Sequence, residues 1–353
     1  MKKKILFLVP RLATGGAETL VWEYARSFSL SGWEIAVAAV VGRGDREEDF
    51  SRLGIKVQVS EGKSWKDWNK LVAFARDFQP DIIHSHVFSA DVAGFLLQKK
   101  LPAKWISTQH NVGTAHSFCR RLVLAWILRQ ADKVVAVSVV VENFCRYGLH
   151  LSSKKVVRID NGIDLLSWLG TSPALFQKGS VLSLVTIGRL EPQKNQELLL
   201  QALASWKHLD WKLTVYGVGQ EEKKLKKLAE ELGIAAKVIW AGVSKNLEEE
   251  ISKYQVIIQP SRWEGMSLVV QEAMAAGRLV IASQAAAAGL LGDKKEGLVM
   301  SDLSIVALRS SLDYVIKNPE KAQALARTGQ EKARAEFSLI KNQEKIIHLY
   351  HEV

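Results

Sequence analysis

Cysteine is scarce: Cys119 and Cys145 are the two in 353 residues. Two cysteines make no disulfide framework, and without a Cys-x-x-Cys pair there is no structural zinc knuckle. Such usage suits a reducing cytoplasm. Long apolar runs are also missing. Three lysines followed by Ile5–Val9 resemble the start of a signal peptide, but the run is short and Pro10-Arg11 ends it, so a first strand is expected. Elsewhere no apolar run is longer than that of Leu122–Leu128, against about 20 residues for a spanning helix. There is no Gly-x-x-x-x-Gly-Lys-Ser/Thr, which counts against a P-loop NTPase. There is no Gly-x-Ser-x-Gly hydrolase elbow either. Asp-x-Asp, a common metal-diphosphate motif of nucleotide-using transferases, does not occur.

What is present is an ordinary globular composition, 48% hydrophobic and 24% charged. At roughly 100–200 residues per domain, the length suggests two domains. The net charge is +11, and it is uneven. Residues 1–165 hold 24 basic and 16 acidic side chains, a net +8, while the remainder holds 24 and 21, a net +3. A basic first half could attract nucleic acid, an anionic substrate or an anionic membrane, or simply aid solubility.

Strand-like runs alternate with helical patterns throughout. In the first half the strands read 5–9, 35–41, 57–59, 81–84, 105–108, 133–137 and 156–159, with helices near 17–30, 67–78, 89–99, 116–130 and 139–147. Continuous Val/Ile/Leu runs suit a parallel sheet covered on both faces, hence a doubly wound α/β domain. Residues 165–180 lose periodicity and read as a linker. The alternation then restarts, with strands at 183–187, 212–216, 238–240, 256–259 and 279–282. Helices are expected near 195–206, 220–232, 246–253, 268–276, 303–316 and 319–335, and a last one at 338–352. Ala285–Ala288 reads as a small-residue loop. The fold expected is two Rossmann-like domains facing across a cleft: 1–165, 166–336, and a terminal helix within 337–353 packing back on the first. Ligands of such sheets bind outside the carboxyl ends of the strands.

Four stretches could carry chemistry. Gly15-Gly16 links the first strand to its helix, where backbone can approach an anion. Gly188-Arg189-Leu190 with Lys194 follows the strand that opens the second half. A guanidinium fork and an ammonium there suit a diphosphate, or are two solvated cations. Glu264 to Gly277 runs from a loop into a helix that Ser267 can cap. Its carboxylates, Glu264 and Glu272, suit sugar hydroxyls, although Glu264 could merely favour the helix dipole and Glu272 be exposed. His84 and His86 sit two apart at a strand end, so they share a face, and His110 ends the next strand. A zinc site lacks its signature there, and a polar wall is the plainer reading. Gly217-x-Gly219 has no third glycine and is an incomplete dinucleotide fingerprint. Among eleven tryptophans, Trp263 stands beside Glu264; most others suit packing. Residues 116–130 mix arginines with Leu, Trp and Ile, which fits a core helix with a basic edge ahead of a membrane-surface helix.

Taken together these motifs resemble retaining glycosyltransferases of family 4, over nearly the whole length. The resemblance rests on Gly15-Gly16-Ala17-Glu18, His84-Ser85-His86, Thr108 with His110, Val137-Ser138 and Asn161-Gly162-Ile163-Asp164. It rests equally on Gly188-Arg189-Leu190 with Gln193-Lys194-Asn195, and on the paired glutamates Glu264 and Glu272. It implies the GT-B arrangement. It implies that Arg189 and Lys194 neutralise the donor diphosphate, Glu264 holds the transferred sugar and Glu272 the ribose. Gly15, Gly16, Gly188 and the backbone at Gly265, Met266, Ser267 and Leu268 would line the sugar and phosphate site. His110 would lie at the reacting sugar, and Gly242-Val243 would seat the base. Departures are Ser283–Gly289 in place of a Gly-Gly turn, Leu279 in place of Pro, Tyr254-Gln255-Val256, and no Phe after Asp164.

The chemistry implied is retention by same-face substitution, with no metal or other cofactor and a nucleotide-sugar, a UDP-sugar ahead of a GDP-sugar, as substrate. The expected acceptor is a glycan or lipid-linked glycan of polysaccharide or lipopolysaccharide synthesis. The expected setting is the cytoplasm, with a peripheral place at an anionic inner membrane face as a further expectation, and no nucleic acid partner. An epimerase acting on the same donor, or a binding protein without turnover, are the other readings.

Overall fold

The computed structural model describes residues 3–13, 15–61, 64–112, 118–206, 209–244 and 246–353. The chain forms two compact units. One comprises residues 1–161 and 342–353, the other 162–341. The division thus falls four residues before the expected boundary at 165/166.

The first unit is a seven-stranded parallel sheet in the order β3-β2-β1-β4-β5-β6-β7. Its strands are β1 (Lys4–Arg11), β2 (Glu34–Gly42), β3 (Lys56–Val59), β4 (Ile82–His86), β5 (Lys104–Gln109), β6 (Lys133–Ala136) and β7 (Val156–Arg158). β1 is central because Ile5 to Val9 are apolar on both faces and no more than 1% exposed. It pairs with β2 through Ile5↔Ile35 and with β4 through Ile5↔Ile82. A strand buried on both sides reads as an unbroken apolar run, as this one does. Truncating such a side chain, Phe7→Ala for example, costs about 3–5 kcal/mol. The covering helices are α1 (Gly16–Leu30), α2 (Glu47–Arg52), α3 (Trp65–Phe78), α4 (Phe88–Gln98), α5 (Phe118–Leu128) and α6 (Val139–Asn143), the last continuing as a π-turn over Phe144–Gly148. The short acidic α2 has too few turns for a periodic signal and is not legible in the sequence. The beginning of the expected 116–130 helix lies outside the described residues.

The second unit is a six-stranded parallel sheet, β10-β9-β8-β11-β12-β13. Its strands are β8 (Leu182–Ile187), β9 (Trp211–Tyr216), β10 (Val238–Gly242), β11 (Val256–Gln259), β12 (Leu279–Ala282) and the two-residue β13 (Leu298–Val299). Its helices are α7 (Gln196–Ala204), α8 (Glu222–Glu231), α9 (Leu247–Ile251), α10 (Leu268–Ala275), α11 (Gln284–Ala287), α12 (Ile305–Lys317) and α13 (Pro319–Glu336). One expectation fails here. Ala285–Ala288 is not a plain loop, since Ser283 accepts a hydrogen bond from the Ala286 N–H and caps α11. Alanine has the highest helix propensity, so a cap suffices to start a turn.

The last helix, α14 (Leu339–Glu352), enters the first unit at Asn342. Tyr24 Oη donates to Asn342 Oδ1 at 2.6 Å, and Asn342 Nδ2 donates to the Asp160 carbonyl at 2.7 Å. Tyr350, fully buried, brings its hydroxyl to 2.6 Å from His84 Nδ1. Polar groups that desolvated need such partners. No helix among the described residues is long and apolar enough to cross a membrane.

Candidate active site

Two loops at strand carboxyl ends build the site of the second unit. β8 ends at Ile187, and the next residues turn into α7 through Asn195, which sits in the left-handed region at φ 55°. β11 ends at Gln259, and its loop turns into α10. The loops are stitched together. Gln193 Nε2 donates to the Trp263 carbonyl at 2.8 Å. Arg262 donates to the Pro192 carbonyl at 3.1 Å and to Asn195 Oδ1 at 2.9 Å. In that frame Lys194 Nζ meets Glu264 Oε1 at 2.5 Å.

Close approach explains the glycines. A Cβ on Gly188 would stand 3.0 Å from Lys194 Cε, so the lysine stem runs over its bare backbone. A Cβ on Gly217, at φ +130°, would stand 2.0 Å from the Gly188 carbonyl oxygen, and one on Gly219 would stand 2.3 Å from that of Leu190. The incomplete fingerprint is therefore a packing device that sets the β9 loop against the Gly188 loop.

Other expected residues fall nearby with different environments. Arg189 is largely exposed, its guanidinium 3.1 Å from Glu191. Ser267 is the N-cap of α10 and accepts from the Val270 N–H. Gly265 is buried, and Met266 and Leu268 are half-buried. Val243 follows β10 and is exposed. Glu272 is not the exposed side chain allowed for above. Burial of its carboxyl, then the charge of Glu248, push its pKa up to about 7. The amide of Gln271, its neighbour in sequence, is buried with no hydrogen-bond partner at either atom. The departure at Tyr254 has a local role: its hydroxyl is 3.3 Å from that of Tyr216, which donates to Glu250 at 2.7 Å. Ser283 Oγ donates to the Ser261 carbonyl at 2.6 Å, tying the alanine-rich helix to the glutamate loop.

In the first unit, Gly15 is the extended N-cap of α1, and its carbonyl accepts from the Thr19 N–H at 2.7 Å. A Cβ there would stand 2.6 Å from the Glu18 carboxylate. Gly16 begins the helix; Thr14 before it lies outside the described residues. The three histidines form one group. The His84 and His86 rings lie 4.4 Å apart, as their spacing along β4 predicts. His84 Nε2 is 2.7 Å from Thr108 Oγ1, and His86 Nδ1 is 2.8 Å from His110 Nε2. Burial pushes the His84 pKa down to about 3 and that of His110 to about 4. Among the described residues, no three His, Cys, Asp or Glu side chains are grouped to hold a metal.

Sequence reasoning missed two participants. Tyr350 arrives from the far end of the chain, and no local pattern announces it. Asp91 is a fully buried carboxyl on α4 that accepts from Ser85 Oγ and Ser107 Oγ, each at 2.7 Å, and from Gln109 Nε2 at 2.8 Å. Burial pushes its pKa up to about 6, against those bonds. It binds β4 and β5 together beneath the histidines. An acidic residue on the inner stripe of a helix was the available signal.

Comparison with known proteins bears on both halves. Residues 14–166 match the family Glycosyltransferase Family 4, and residues 175–332 match Glycosyl transferases group 1. An uncharacterized glycosyltransferase of Haemophilus influenzae is 24% identical over 337 residues, covering 91% of this chain and 92% of that protein. A lipopolysaccharide core biosynthesis mannosyltransferase, LpcC, of Rhizobium leguminosarum is 26% identical over 327 residues, 86% and 89% of the two chains. Among solved structures, Anabaena Alr3699/HepE in complex with UDP and glucose superposes with a TM-score of 0.88 at 19% identity, over 99% of this chain and 100% of that one.

Proposed function

The chain belongs to the glycosyltransferases of group 1 and family 4, and on that premise we propose a retaining, metal-independent transfer of a sugar from a UDP-sugar to a glycan or lipid-linked acceptor. The observation that carries the reading is the Lys194–Glu264 pair beside the capped start of α10. An ammonium has three N–H donors. One is held by Glu264, which leaves two for the oxygens of a diphosphate. The first N–H groups of α10 add partial positive charge in the same place.

In the reaction proposed, the acceptor oxygen bonds to the anomeric carbon on the face from which the diphosphate leaves. The bond from that carbon to the diphosphate oxygen breaks, and the same oxygen takes the acceptor's proton. Negative charge grows on the leaving group, so cations fixed beforehand lower the barrier. Lys194 is fixed by Glu264; Arg189 must leave Glu191 to contribute. Glu272 would accept from ribose hydroxyls, and His110 would meet the transferred sugar. The UDP in the Anabaena protein supports the donor reading, and the Rhizobium enzyme's name supports a lipopolysaccharide or related acceptor.

The membrane partner rests on α5. Leu124, Ala125, Ile127 and Leu128 turn inward, whereas Leu122, Val123 and Trp126 are about half exposed. Arg120 shares that outer face, Arg129 follows the helix, and α5 has no acidic residue. An apolar face flanked by arginines suits the surface of an anionic bilayer.

Calorimetric titration with UDP, GDP and ADP in EDTA tests the core of the proposal. UDP should bind without metal, and Glu272→Ala should abolish binding while the fold persists. Equal weak binding of all three, or a strict metal requirement, would overturn it.

A further inference from the structure

We propose that His86 is a positioning residue: it holds His110 as the tautomer protonated on Nδ1, making His110 a fixed neutral hydrogen-bond donor to the transferred sugar. The inference rests on the transferase reading for what His110 meets, but not for the tautomer itself.

The argument starts from a proton count. His86 is fully buried, and its Nδ1 faces His110 Nε2 at 2.8 Å, with the ring planes inclined by 26° and the centroids 5.1 Å apart, so the two rings meet edge to edge. Burial, then the neighbouring His84 and His110, lower the His86 pKa, and burial lowers that of His110. Both rings are therefore neutral near pH 7, and each carries one N–H. A hydrogen bond between two ring nitrogens needs one protonated and one bare. Either His86 donates from Nδ1, or His110 donates from Nε2.

The other nitrogen of His86 decides between them. Its Nε2 is buried with no hydrogen-bond partner. If His110 donated, the His86 proton would sit on Nε2 as a buried N–H without an acceptor. Orphaned buried N–H groups are rarer than under-used acceptors, because a donor has one bond to lose and no alternative. If His86 donates from Nδ1, its Nε2 is merely a bare lone pair. That arrangement assigns the His110 proton to Nδ1, the nitrogen turned away from His86.

The surroundings hold His86 in place. The Phe7 ring centre lies 6.0 Å from its own and that of Tyr24 6.5 Å, while the His84 ring lies 4.4 Å away, tilted by 35°. His84 is itself braced by Tyr350 and Thr108. Close packing around the ring favours one orientation, the one in which Nδ1 faces His110. A neutral, oriented donor suits a sugar hydroxyl oxygen, whereas a group that must first gain a proton does not.

Two measurements test this. In protein labelled with ¹⁵N-histidine, two-bond nitrogen–proton correlation separates protonated from bare ring nitrogens, with His110 identified by its loss in His110→Gln. A protonated Nδ1 and bare Nε2 on His110 are expected; the reverse pattern overturns the proposal without reference to activity. Separately, His86→Asn keeps an N–H near the Nδ1 position, and His86→Phe keeps ring volume without it. The expected result is a kcat within about threefold of wild type for Asn and at least about tenfold lower for Phe, with donor KM nearly unchanged, as for an interaction made in the transition state. Equal kcat for Phe and wild type would overturn it. If wild type transfers no sugar at all, the transferase reading fails while the spectrum still decides the tautomer.

Discussion

Lys194 and Glu264, 70 residues apart in sequence, form an ion pair at 2.5 Å with side chains only 16% and 10% exposed. Such a pair gains little net stability, because both ions lose water. Removing one partner is different: it strands the other charge, at a cost of roughly 3–5 kcal/mol when fully buried. Lys194→Met should therefore lower the unfolding temperature by several degrees and lower kcat by about 10²–10³-fold. Adding Glu264→Gln should recover part of the thermal stability and none of the activity. Scanning calorimetry beside initial rates checks both halves; a single mutant with wild-type rate contradicts the proposed role.

Glu272 gives a pH signature. Its pKa is raised from the ordinary 4.5 to about 7. Between those values the folded state binds more protons than the unfolded one, so this group's contribution to stability falls as pH rises, from about 4.5 until it levels off above 7. Glu272→Gln removes that loss, and its stability relative to wild type should grow across this window by up to about 3 kcal/mol. Ribose hydroxyls prefer the carboxylate, so wild-type affinity for UDP should rise from pH 6 to 8 more steeply than in the variant. Denaturant titration and calorimetry at three pH values provide the comparison.

Gly217→Ala should be severe. Its new methyl would overlap the Gly188 carbonyl at 2.0 Å in a backbone region that disfavours side chains. We expect a loss of at least about 2–3 kcal/mol and weaker nucleotide binding, because the Lys194 loop must move. Gly170→Ala, with nothing within 4 Å, is the control and should be nearly neutral. Urea unfolding of the two variants separates a packing role from a loss of glycine in general.

The α5 face predicts surface-dependent behaviour. Trp126→Ser with Arg120→Glu and Arg129→Glu should weaken binding to phosphatidylglycerol vesicles by about tenfold or more, at about 1 kcal/mol per basic charge. Added salt should weaken wild-type binding in the same sense. Sedimentation with vesicles measures it, and equal partitioning to neutral and anionic vesicles would contradict the electrostatic part. Transfer to a soluble acceptor should be unaffected.

Much of this was readable in the chain. Doubly buried strands such as Ile5–Val9 and Val256–Gln259 announce a parallel sheet because both faces must be apolar. Gly188, Lys194, Glu264 and Ser267 stand at strand-to-helix turns, and order along the chain places them there. What the sequence alone determined is local: the alternation of elements, the cap at Ser267, the shared face of His84 and His86. Tertiary structure decided which distant groups meet. Only folding brings Lys194 to Glu264, His86 to His110 and Tyr350 to His84, and only folding buries Glu272 enough to raise its pKa. The physical reason is that desolvation and hydrogen-bond pairing depend on what lies across the loop or sheet, and spacing along one strand or helix does not encode that. The alanines of 284–287 show the same limit on a small scale, since a single serine cap and its bond to Ser261 turned an expected loop into a helix.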